Sequence, residues 1–124
     1  YNVKGTTNVY FDTGKWNLTP AAQADLCAAA AQANATENAL MLVVGYTDPI
    51  GSAAFNKKLS QDRAVVVGRQ IAARNIPIER GIVAEGRGPI ELVKTGCGNT
   101  PTPENKLCHA PNRRVMVVIT GARR

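Results

Sequence analysis

Leu40-Met41-Leu42-Val43-Val44-Gly45-Tyr46-Thr47-Asp48-Pro49-Ile50-Gly51 is the stretch on which the reading of the fold turns. Its first six residues are a near-continuous apolar run. Such a run fits a strand buried on both faces, as in a sheet covered by helices. Tyr46-Thr47-Asp48 ends the run, and Pro49 stops further pairing. Gly51-Ser52 then leads into a helix expected over about Ala53 to Ala73, closed by Asn75-Ile76-Pro77. Within it Leu59, Val66, Val67 and Ile71 recur at spacings of three and four, which marks a buried stripe. The stretch thus puts an acid, Asp48, at the end of a strand. It also puts Arg63 in the row Leu59–Arg63–Val67 on one side of the following helix.

Upstream, Val3 to Phe11 is β-prone and is broken by Asp12-Thr13-Gly14. Thr19-Pro20 is a helix start, with Thr as N-cap and Pro at the first helical position. That helix runs to about Ala33. Leu26, Ala29, Ala30 and Ala33 give it a thin apolar stripe that can lie close against a sheet. Asn34 to Asn38 reads as its exit loop. Downstream, Ile82-Val83-Ala84 forms a short strand closed by Gly86-Arg87-Gly88-Pro89. A long loop follows to about Pro111, then a final strand, Val115 to Thr120. Gly121-Ala122-Arg123-Arg124 reads as a fraying end. The order β-α-β-α-β-β predicts an α/β or α+β sandwich, with an α+β two-layer sandwich as the reading taken. Its helices pack on one face of a small mixed sheet, in a single domain over residues 1–124.

With 44% hydrophobic and 19% charged residues, a packed core is expected and disorder is not. One Trp, three Tyr and two Phe leave that core to aliphatic side chains. No apolar run approaches the roughly 20 residues that cross a bilayer. The chain opens at Tyr1 without a basic, apolar leader, as expected of a processed chain or an excised domain. The formal net charge is +6. The basic residues are spread out, with no dense run and no interleaved aromatics. This predicts a solvated basic surface and no nucleic-acid partner.

Three cysteines are present. Cys97 and Cys108 flank a loop rich in Gly, Pro, Asn and Thr and read as a disulfide; two reduced loop thiols are the alternative. Closing a loop of about a dozen residues is worth about 3 kcal/mol in the chain-entropy model, and implies an oxidising compartment such as the periplasm. Cys27, among alanines, reads as a small buried thiol. His109 is the only histidine and reads as a plain surface residue. No metal-ligand spacing accompanies it, so no metal is expected.

An arginine in the Leu59–Val67 row is either snorkelling at the margin or aimed at something. Asp48 lies at the rim of the sheet, where ligands of α/β folds gather. On spacing alone, the leading reading of the two is a partly buried ion pair tying turn to helix. The functional reading is a receptor for a zwitterion: the carboxylate takes an ammonium, and the guanidinium fork takes a carboxylate. Arg113 and Arg114 either add charge at this rim or form a solvated pair at a strand start. Catalysis has little support. Gly86-Arg87-Gly88-Pro89 lacks the spacing and the helix of a phosphate loop. A Cys108–His109 pair would need a free thiol. Nothing singles out Asp48 with Asp62 or Glu85 as paired carboxylates.

Four separated motifs then occur in order: Gly45-Tyr46-Thr47-Asp48-x-x-Gly51, Asn56-x-x-Leu59-Ser60-x-x-Arg63-Ala64, Gly86-x-Gly88, and Asn112-Arg113-Arg114-Val115. Together they resemble the OmpA-like peptidoglycan-binding domain family, over nearly the whole chain. The resemblance implies a βαβαββ sandwich that binds cell-wall stem peptides without cleaving them and needs no cofactor. Its implied ligand is meso-diaminopimelate, whose free end carries both an ammonium and a carboxylate. By motif, Asp48 would hold the ammonium and Arg63 the carboxylate, with Asn56 and Arg113 lining the pocket. Thr47 and the backbone around Phe11–Gly14 are weaker candidates. Gly14 stands where some members place Asn, Ile50 where some place Thr, and Tyr46 where many have His. The expected role is a periplasmic, non-catalytic anchor of a Gram-negative outer-membrane or envelope protein, attached through a part N-terminal to this chain. Alternatives are an envelope protein-interaction module that has lost the ligand, or a motor or secretion stator with regulated wall binding.

Overall fold

Both long helices begin where a hydroxyl can cap them. Thr19 accepts from the Ala22 amide at 3.1 Å and opens α1, Pro20–Asn34. Ser52 accepts from the Phe55 amide at 3.1 Å and opens α2, Ala53–Ala72. Each hydroxyl satisfies an amide that has no partner within the helix. The computed structural model describes residues 2–12 and 14–123. Its strands are β1 (Asn2–Tyr10), β2 (Thr36–Gly45), β3 (Ile82–Gly86) and β4 (Arg114–Arg123). A short helix, α3 (Pro103–Cys108), and a 3-10 turn (Ala110–Asn112) precede β4.

The four strands lie in the order β1-β4-β2-β3. β4 is antiparallel to both β1 and β2, and β2 is parallel to β3. The expected α+β sandwich is therefore present. Val9, Met41, Val43, Val115, Val117 and Ile119 point to one face of the sheet. They meet Ala22, Leu26, Ala29 and Ala33 of α1 and Ala64, Val67 and Ile71 of α2. Small residues in both helices bring them close to the sheet, as the alanine stripe predicts. Val66, expected in the stripe of α2, is only half-buried.

Several details depart from the sequence reading. β2 starts at Thr36, inside the expected exit loop, and its register with β4 shifts between Glu37 and Leu40. An irregularity of that kind interrupts the apolar pattern by which a strand is recognised. Leu42 is 37% exposed, so β2 is not covered on both faces; both helices lie on the other side. Gly121 and Ala122 do not fray: they pair with Val3 and Asn2. Arg124 lies outside the described residues. Cys27 is exposed, with its sulfur accepting from Arg74 Nη1 at 3.3 Å.

The long loop is built rather than loose. Cys97 and Cys108 are disulfide-bonded, and α3 fills part of the span. His109, expected at the surface, is buried (1% exposed). Its Nε2 donates to the Gly98 carbonyl at 3.0 Å, and its Nδ1 accepts from Asn112 Nδ2 at 2.9 Å. Asn112 also donates to Lys94 O and accepts from the Val93 and Lys94 amides, all within 2.9 Å. One buried amide therefore ties both ends of the loop together just before β4.

Two glycines set how near α2 comes to the sheet. A Cβ on Gly45 would sit 2.0 Å from the Ser60 carbonyl oxygen, and one on Gly86 2.4 Å from the Gln61 nitrogen. Ser60 Oγ fills the remaining space by accepting from the Gly88 amide at 2.9 Å and donating to Lys57 O at 2.7 Å. Gly45→Ala is expected to lower stability by at least about 2 kcal/mol, because backbone rather than a side chain must move; urea denaturation measures it. Asn112→Ala is expected to cost about 3 kcal/mol through stranded buried amides. A loss under about 1 kcal/mol would mean that water replaces the side chain.

Candidate functional site

Arg63 is held by the backbone. The Arg63 side chain is fully buried (0% exposed). Nε donates to Lys15 O at 2.8 Å, Nη2 to Asp12 O at 3.0 Å and Nη1 to Tyr46 O at 3.3 Å. The guanidinium also lies 5.2 Å from the centre of the Phe11 ring. Three of its five N–H groups are thus used among the described residues, and two remain. Burial brings its pKa down to about 10, with Asp48 opposing that fall and Arg113 adding to it. Arg63 remains a cation at neutral pH, with no carboxylate of the described residues in direct contact.

Asp48 caps the turn after β2. One carboxylate oxygen accepts from the Ile50 amide at 3.2 Å, the other from Arg113 Nη1 at 3.3 Å. The structure's ion pair is therefore Asp48–Arg113, in place of an Asp48–Arg63 pair tying turn to helix. Arg113 further donates to Phe11 O at 3.0 Å and Lys106 O at 2.7 Å. A carboxylate has about four acceptor positions, so Asp48 keeps capacity for another donor.

Asp48, Arg63, Arg113, Asn56 and Gly14 all line one cavity of about 170 Å³, walled also by Ile50, Gly51, Phe55 and Leu59. Asn56 Nδ2 donates to Ile50 O at 2.9 Å and holds the turn over the pocket. Gly14 has φ +66°, a conformation that costs other residues strain, Asn least. Thr13, next to it, lies outside the described residues. Thr47 does not line the cavity; its buried hydroxyl has no hydrogen-bond partner among the described residues.

Arg114 turns to the opposite side of β4 and is buried, not solvated as a strand-start pair would be. Its guanidinium stacks 4.0 Å from the centre of the Tyr46 ring, and Nη2 donates to Glu91 O at 2.9 Å. Tyr46 OH donates to Glu91 Oε2 at 3.0 Å and accepts from Arg87 at 3.1 Å. Burial first, then the Glu91 carboxylate, push the phenol pKa up. This network braces the strand end from behind. Sequence reading missed it because Glu91 and Arg87 lie in a loop without periodicity. The resemblance flagged Tyr46 only as a substitution.

Fold and pocket together define a small α+β binding domain with a charged cavity at the rim of its sheet. The model of the OmpA family matches residues 10–106, and the chain belongs to that family. It is 38% identical over 120 residues to outer membrane protein P5 of Haemophilus influenzae, an alignment covering 94% of this chain and 33% of that protein. The chain thus spans about a third of that relative's length. Among solved structures, the peptidoglycan-associated lipoprotein of Burkholderia pseudomallei superposes with a TM-score of 0.76 at 26% identity, covering 91% of this chain and 89% of that one. The cell wall anchor of the type VI secretion system from Pseudomonas aeruginosa gives 0.70 at 26% identity, covering 95% and 82%.

Asp48→Asn leaves Arg113 buried without its counter-charge. It is expected to lower stability by about 3 kcal/mol, read from the urea midpoint. A change within the 0–1 kcal/mol typical of exposed pairs would show that water screens this pair.

Proposed function

We propose that this domain is a non-catalytic anchor that binds peptidoglycan through the diaminopimelate end of a stem peptide. In this reading it holds an outer-membrane or envelope protein to the wall from the periplasmic side. The observation that carries it is the shared cavity: a buried, charged arginine with two spare N–H groups, and a carboxylate with spare acceptor positions. A buried cation without a contacting anion is costly, and an incoming carboxylate relieves that cost. The ligand's ammonium meets Asp48 at the same time. The family membership and the wall-associated neighbours support this reading. Asn56 and Arg113 act as positioning groups, one holding the turn and the other the acid; Thr47 is at most a backbone support. The net charge of +6 aids approach to a polyanionic wall, in a salt-dependent way.

Sedimentation of the chain with purified wall sacculi tests this. Wild type is expected to bind diaminopimelate-type wall. Asp48→Asn and Arg63→Lys are each expected to lose about ten-fold or more in affinity, with circular dichroism confirming folding. Folded variants that bind like wild type would reject the site. Lysine-type wall, whose side-chain amine lacks the neighbouring carboxylate, is expected to bind at least about ten-fold more weakly. Equal binding to both walls would reject the diaminopimelate assignment while leaving wall binding intact.

A further inference from the structure

The chain's only tryptophan is not in its core. Trp16 is 53% exposed and Phe55 50% exposed, a costly placement for two large apolar side chains. They line one hollow of about 270 Å³ together with Leu59, Lys58 and Asp62. This hollow shares Phe55 and Leu59 with the Asp48–Arg63 cavity. A further depression, of about 330 Å³, is lined by Gly14, Lys15, Trp16 and Asn17. Trp16 therefore lines two hollows, each of which shares a wall residue with the charged cavity.

Its position is also fixed. Arg63 donates to the carbonyls of Asp12 and Lys15, so the residue before Trp16 is tied to the pocket floor. Phe55 sits in the first turn of α2, fastened by the Ser52 cap. On the far side Lys58 and Asp62 face each other at 3.3 Å, with side chains 78% and 39% exposed. Such a pair contributes little to stability and is open to other partners.

We infer that this hollow is a saccharide subsite, which seats a sugar of the glycan strand while the stem peptide occupies the Asp48–Arg63 cavity. The inference rests on the proposed wall binding. Aromatic faces beside an exposed carboxylate and ammonium match a pyranose ring, whose C–H face stacks on π surface while its hydroxyls seek donors and acceptors. A purely apolar partner would leave Asp62 and Lys58 without a role. In the wall polymer two amino acids separate diaminopimelate from the sugar, a span of roughly 7–10 Å when extended. Adjoining cavities with a common wall suit that tether.

Calorimetry on the 124-residue chain distinguishes the possibilities. The probes are a disaccharide–tripeptide ending in diaminopimelate and the same tripeptide without sugar. Wild type is expected to prefer the sugar-bearing probe by about ten-fold. Trp16→Ala is expected to abolish that preference while changing tripeptide affinity by less than about two-fold; Trp16→Tyr restores most of it. Trp16 fluorescence should shift with the sugar-bearing probe alone. Equal wild-type affinities, or equal weakening of both probes by Trp16→Ala, overturn the subsite. A dimer in sedimentation that Trp16→Ala dissolves also overturns it, since a second copy would then cover the patch. If wild type binds neither probe, or Asp48→Asn binds both like wild type, the wall-binding reading itself fails.

Discussion

The buried guanidinium of Arg63 is the constraint from which the site follows. It reaches the loop after β1 through Asp12 and Lys15, the end of β2 through Tyr46, and the ring of Phe11. Two segments far apart in sequence, the loop after β1 and the end of β2, are thus held by one side chain of α2. Backbone carbonyls, rather than a carboxylate, provide its hydrogen bonds. The charge is therefore accommodated without being neutralised, and its field stays available to whatever enters the cavity. A direct Asp48–Arg63 pair would have cancelled that field. Arg113 also lines the cavity and keeps Asp48 in place, but leaves Asp48 and Arg63 separately addressable.

The sheet and the two long helices were legible because they follow simple periods. The Thr19-Pro20 cap, the Gly51-Ser52 entry to α2, the alanine stripe of α1 and the Leu59–Val67–Ile71 row all report local physics. What was not legible depends on partners far away in sequence. Gly121 and Ala122 look like a loose end until β1 lies beside them. Leu42 reads as buried until both helices are found on the other face. His109 looks like a surface residue because its loop is polar, yet Asn112 and Gly98 give its ring two partners. Cys27 sits among alanines, but on the side of α1 that faces away from the core.

The candidate site was legible as a set of residue types more than as a set of contacts. Asp48, Arg63, Asn56, Arg113 and Gly14 do border one cavity. Which acid faces which base was beyond reach of spacing, because Arg113 lies just before β4, fifty or more positions from either. Thr47 sits beside Asp48 in sequence, yet does not line the cavity, because successive side chains diverge at the strand end. Trp16 carried no signal at all: an isolated aromatic in a short loop has no period to betray which way it faces.

The place of β4 in the sheet has a consequence for how this chain reaches its native state. β4 is last among the strands in chain order, yet it lies between β1 and β2 and hydrogen-bonds to both. Until it arrives, β1 has no neighbour in the sheet, and β2 has only the five-residue β3. The opening and closing strands must find each other across nearly the whole chain, a search that slows folding. A polypeptide emerging N-terminus first therefore stays open until its final strand is free. That delay leaves unpaired, in the meantime, the edges of β1 and β2 that β4 will cover.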